Sequence, residues 1–166
     1  MNLRPINPTV PPPPIRRAGA ASNSNLSLVQ QVQSALNLGL PLRDRAQMPA
    51  LLQTIASVQQ TVDEALTNLH YVHFARFLPT PDFGTLQVIT TYDGDLNSYL
   101  MDFVVVLGDV FNAILAFVEG APPLPVQKYP QEFVNFVIAN NIPASVWSAY
   151  PTMSVIDILK APPSVR

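Results

Sequence analysis

The sequence predicts an α+β fold in which strands and helices follow one another as βαββαβ, with an extra helix before the last strand. Three observations carry this. Residues 69–78 and 85–91 are rich in aromatic and β-branched residues and are joined by Thr80-Pro81-Asp82-Phe83-Gly84, a hairpin signal. Residues 48–69 and 95–119 carry apolar side chains at helical spacing. Residues 35–42 before the first helix and 145–150 near the end read as the outer strands.

In chain order, residues 1–25 form a proline-rich arm, with Pro11-Pro12-Pro13-Pro14 flanked by Val10 and Ile15. Such a stretch has no periodicity with which to bury a face, so polyproline II or disorder is expected there, draped over a neighbouring subunit or presented to an aromatic groove. A single domain is expected over 26–160. It opens with Leu26, Val29 and Val32, as a short helix or a leading strand, and an edge strand over 35–42 stops at Pro41. The helix over 48–69 presents Leu51, Leu52, Ile55, Val58, Val62, Ala65 and Leu66, with Pro49 tolerated in its first turn.

After the hairpin, Asp95 is placed to cap the longest helix, which Gly120 and Pro122-Pro123 stop. Its apolar face includes Leu96, Tyr99, Leu100, Phe103, Leu107, Phe111 and Ile114, while Asp102 and Asp109 interrupt any membrane-spanning run. A core or subunit-interface helix is therefore expected. A shorter helix over 131–140 ends at Asn141-Ile142-Pro143, residues 155–159 form a final turn of helix or an added strand, and 161–166 fray.

Composition narrows the function. Of 166 residues 48% are apolar and 12% charged, so a large share of the surface is expected to be covered by further copies of the chain. A net charge of −2 supplies no basic stripe for nucleic acid. The absence of cysteine removes disulfides, thiolate nucleophiles and Cys-ligated metals. No secretory pattern opens the sequence, so the cytoplasm is the expected compartment.

The two histidines, His70 and His73, lie three apart on a predicted strand and so on opposite faces, which excludes a shared metal site within one chain. Strand parity places Val72 and Phe74, with Leu86 and Val88, against the helices. It places Tyr71, His73, Ala75 and Phe77, with Gln87, Ile89 and Thr91, on the open face of the sheet. There His73 would accept a proton and Tyr71 donate a hydrogen bond as a catalytic pair, with Gln87 or Thr91 orienting a ligand carbonyl. Alternatively His73 is a satisfied interface histidine. Trp147 and Tyr150 either flank the same cavity or seal the core. Arg76, isolated among acidic and apolar residues, is expected to form a structural ion pair with Asp93 or Asp95. No phosphate-cradling loop or nucleophile turn is present.

The βαββαβ order is that of a ferredoxin-like, split βαβ domain, an antiparallel sheet with both main helices on one face. Residues 35–150, through His70-Tyr71-Val72-His73-Phe74-Ala75-Arg76-Phe77 and Tyr92-Asp93-Gly94, resemble the dimeric α+β-barrel superfamily. That superfamily includes stress-responsive barrel proteins, cofactor-free monooxygenases and, as two fused halves, dye-decolourising peroxidases. Thr90-Thr91-Tyr92-Asp93-Gly94 has threonine where the peroxidase Gly-x-x-Asp-Gly motif begins, and the chain has the length of one half, so haem is disfavoured and no cofactor is expected. The resemblance implies a homodimer or higher oligomer with a pocket on each open sheet face that binds or oxidises a small hydrophobic molecule. A non-catalytic assembly protein is the alternative.

Overall fold

A computed structural model describes residues 31–162, and the expectations for the N-terminal arm and the last four residues lie outside that range. The elements are β1 (Gln33–Pro41), α1 (Met48–Ser57), α2 (Gln59–Leu69), β2 (Val72–Pro79), β3 (Thr85–Asp93), α3 (Leu96–Leu115), α4 (Pro130–Asn140) and α5 (Val155–Lys160). The fold is α+β. The three strands form one antiparallel sheet in the order β1-β3-β2, so β3 is central.

Alternation in β1 and β3 defines the faces. Leu36, Leu38 and Leu40 with Leu86, Val88, Thr90 and Tyr92 are buried against the helices, while Ala35, Asn37, Gln87, Ile89 and Thr91 point the other way. The core closes over this face with Met48, Leu51 and Ile55 from α1, Val62 and Ala65 from α2, and Phe133, Val134 and Val137 from α4. The largest share comes from α3, whose ten buried residues include Tyr99, Leu100, Phe103 and Ile114. By length and composition α3 alone among the described helices is apolar enough to cross a membrane, and 56% of that stretch is buried in the core of this domain. Asp95 caps α3 by accepting from the Ser98 N–H at 3.0 Å. Tyr99 stacks on Tyr92 with ring centroids 3.8 Å apart, and its hydroxyl donates to Thr90 at 2.7 Å, which satisfies both polar groups inside the core.

Five features depart from the sequence-based expectations. The helix expected over 48–69 is broken at Val58, whose backbone leaves the helical region, and continues as α2. His70 adopts the left-handed conformation that ends α2, so β2 begins at Val72 instead of residue 69. The register of β2 against β3 slips by one residue between Val72 and Phe74, a β-bulge at His73. Beyond it Ala75 and Phe77 turn to the helix side, and Phe74 and Arg76 to the open side.

Another departure concerns the fourth strand. Residues 141–151 do run antiparallel along the free edge of β1, but they touch it only at their ends, through a Leu38–Asn141 bridge, Ile142 N–H to Asn37 C=O, and Val32 N–H to Pro151 C=O. The segment takes ten steps where β1 takes six, and Pro143 has no N–H to donate, so it bows away and no ladder forms. Nor do all helices share one face: α5 lies against the open side, where the Val155 N–H donates to Asp93.

Leu86 is fully buried on the central strand, so Leu86→Ala is expected to destabilise by about 2–5 kcal/mol in chemical denaturation. Val105→Ala, at a site 80% exposed on α3, should stay within about 0.5 kcal/mol of the parent. Similar losses for the two would contradict this placement of the core.

Candidate functional site

The open face of the sheet is a shallow apolar and amide surface. Asn37, Gly39, Gln87 and Ile89 line a hollow of about 230 Å³ closed by Ile142, and Phe74, Arg76, Ile89 and Thr91 line another of about 280 Å³. At the β3 C-terminal end lies a larger cavity of about 590 Å³, walled by Gln33, His73 and Phe74 from the sheet and by Tyr150, Met153 and Ile158 from the C-terminal segment.

The bulge builds this site. The extra residue lets His73 and Phe74 both reach the open side, where alternation alone would admit one of them. The His73 imidazole is nearly buried, with 6% of its side chain exposed, and its Nε2 lies 2.8 Å from Asp93 Oδ1. The second carboxylate oxygen, Oδ2, accepts from the Val155 N–H at 2.7 Å. Asp93 therefore fixes the ring and also ties α5 to the sheet.

The other wall is fastened by Gln33, whose side-chain amide donates to Tyr150 C=O and Met153 C=O, each at 3.0 Å. Helix α5 begins with a capping box, in which the Ser154 hydroxyl accepts from the Asp157 N–H and the Asp157 carboxylate accepts from the Ser154 N–H and hydroxyl. Those donors hold the Asp157 carboxyl below its ordinary value.

The structure brings His73 and Tyr150 together in one cavity and places Gln87 and Thr91 on the same face beside it. It separates Tyr71 from His73. Tyr71 lies before β2 on the helix side, edge-on to Tyr99, with its hydroxyl donating to Asp102 Oδ2 at 2.9 Å. Partial burial and the adjacent Asp102 charge push that phenol well above its ordinary value, and its hydroxyl is engaged by Asp102 instead of His73. Phe77 faces the helices, in a cleft with Leu52 and Leu66. Trp147 is 87% exposed and seals nothing in the chain.

The expected ion pair is not formed. Arg76 is exposed and stands opposite Ile89, four residues and about 13 Å along the strand from Asp93. Asp93 is held by His73, and Asp95 caps α3. Among the described residues, no three His, Cys, Asp or Glu side chains converge as a metal site.

Sequence reasoning missed Gln33, Met153 and Ile158 as lining residues. The one local sign was Ser154-x-x-Asp157, a capping-box pattern that announces a helix start and so argues against a strand there.

Because the folded pKa of Asp157 lies below its ordinary 3.8, the capping box contributes fully above that value and its contribution is lost as pH falls through the folded one. On acidification below about pH 4, amide exchange in α5 is expected to rise while Leu86 and Val88 stay protected. If α5 and β3 amides opened together, the wall of the cavity would not be a separate unit. Comparisons with protein-family models, with curated proteins and with solved structures find no match.

Proposed function

We propose that this protein is a homo-oligomeric binding protein that holds a small, largely apolar molecule in the cavity at the end of its open sheet face. The observation that carries the reading is the His73–Asp93 pair, a nearly buried imidazole fixed at 2.8 Å by a carboxylate in the wall of an otherwise apolar cavity. An apolar hollow with a few convergent, oriented polar groups is what small-molecule sites have in common. If a reaction takes place there, His73 is its proton acceptor and Asp93 the group that positions it.

We further propose that the sheet is an incomplete ferredoxin-like one, with residues 141–151 in the place of the fourth strand. The β1-β3-β2 order and the antiparallel path of that segment along β1 support this. A second copy on the open face would cover Phe74, 72% exposed, and Leu78. A pure assembly role is supported by one separate observation. Met101, Val105 and Val106 leave a second apolar strip exposed on α3, far in sequence from the cavity.

Native mass spectrometry after gentle purification tests both readings. An even-numbered oligomer carrying extra mass is expected, and His73→Ala should keep the oligomer and lose that mass. A clean monomer would refute the covered sheet, and extra mass that survives His73→Ala would remove His73 from the site.

A further inference from the structure

We infer that the His73 cavity selects molecules that donate a hydrogen bond, namely neutral compounds with one hydroxyl or N–H group on an otherwise apolar frame. This rests on the proposal that the cavity binds a small molecule, and it names which chemistry that molecule has.

An ionised carboxylate only accepts hydrogen bonds. With Asp93 Oδ2 taken by the Val155 N–H at 2.7 Å, Oδ1 at 2.8 Å from Nε2 requires the proton to sit on Nε2. In the neutral ring Nδ1 then presents a lone pair. No described residue hydrogen-bonds Nδ1. Among the described residues no side-chain nitrogen or oxygen is both buried and unpartnered, so Nδ1 reaches open space, and the open space that His73 lines is the cavity.

The remaining walls sharpen the selection. Among the described residues no Lys, Arg, Asp or Glu lines the cavity, the Gln33 amide is turned away to two backbone carbonyls, and the Ser148 oxygen accepts from the Tyr150 N–H. A ligand carboxylate would meet the Nδ1 lone pair with the Asp93 charge behind it and no cation among the described lining residues. A hydroxyl or N–H would meet an acceptor, with Phe74, Tyr150, Met153 and Ile158 around its apolar body.

The assignment makes an unusual demand on one substitution. In Asp93→Asn the Val155 N–H still needs an acceptor, so the amide oxygen takes it and the amide NH₂ faces Nε2. The ring proton then moves to Nδ1, and the cavity offers a donor in place of an acceptor.

Two probes of one frame, naphthalen-2-ol and 2-methoxynaphthalene, are titrated at pH 8.5 into the full chain, followed by the methyl signals of Met153 and Ile158. The parent is expected to bind the hydroxyl probe about tenfold more tightly than the ether. Asp93→Asn should erase or reverse that ratio, and His73→Phe, which keeps the ring volume without its nitrogens, should bring it to about one. Equal binding of both probes by the parent, or a hydroxyl preference that survives in either variant, overturns the inference and leaves the pocket standing. No methyl shift with either probe overturns the pocket and the inference together.

Discussion

One extra residue in β2 decides what the open face of this sheet is made of. Side chains in a strand alternate with a period of two, so a single unpaired residue at His73 exchanges the faces of everything on one side of it. Without the slip, Phe77 would face solvent and Phe74 would fill the core. With it, Val72 and Phe77 both pack beneath the sheet, and His73 and Phe74 both stand above it. The bulge also brings His73 level with the end of β3, where Asp93 can reach it. Bulges weaken local pairing, and this one sits on an edge strand, where a disturbed ladder costs least.

The domain is held together unevenly, and the site falls on the seam. The helix side has a continuous core from Leu36 to Val137, with aromatic contacts running from Tyr92 through Tyr99, Phe103 and Phe111 to Phe133. The described residues after Asn141 contribute no buried hydrophobic side chain to it. They are fixed instead by a few polar anchors: the Gln33 amide, the Asp93 carboxylate and the two ends that touch β1. Segments held by few apolar contacts open at lower free energy than the core. The cavity of the proposed binding role thus has one wall in the core and one held by few apolar contacts.

How much of this was legible in the sequence follows from which signals are local. The buried alternation of β1 and β3, the apolar face of α3 and the Asp95 cap depend on spacing and near neighbours, and they stand as the sequence suggested. The bulge depends on how β2 meets β3, so parity counted along β2 alone assigned Phe74, Ala75 and Phe77 to the wrong faces, and Tyr71 falls before β2 begins, where strand parity does not apply. The fourth strand failed for a related reason. Residues 145–150 have strand-like composition, but the length between the two contact points and Pro143 prevent a matched ladder. The Arg76 ion pair was argued from the cost of burying an unpaired guanidinium, whereas an exposed guanidinium on an edge strand is solvated and needs no partner. On the site itself, His73 and Tyr150 were visible as chemistry, but their meeting required a C-terminal segment folded back across the sheet.

The carboxylates explain why Asp93 stands apart. Asp44, Asp95 and Asp157 cap helices or turns, Asp82 closes the hairpin through Thr80 and Gly84, and Asp109 accepts from Gln127. Among the described residues none of these is spent on a Lys or Arg, and Asp44, Asp82, Asp95 and Asp157 each accept from a backbone N–H. Two instead meet side chains that carry a titratable proton. Asp102 faces Tyr71, whose phenol that contact helps to keep neutral. Asp93 faces a histidine, whose second ring nitrogen stays available for another hydrogen bond. Of the acidic contacts in the fold, this is the one at the wall of a cavity of about 590 Å³.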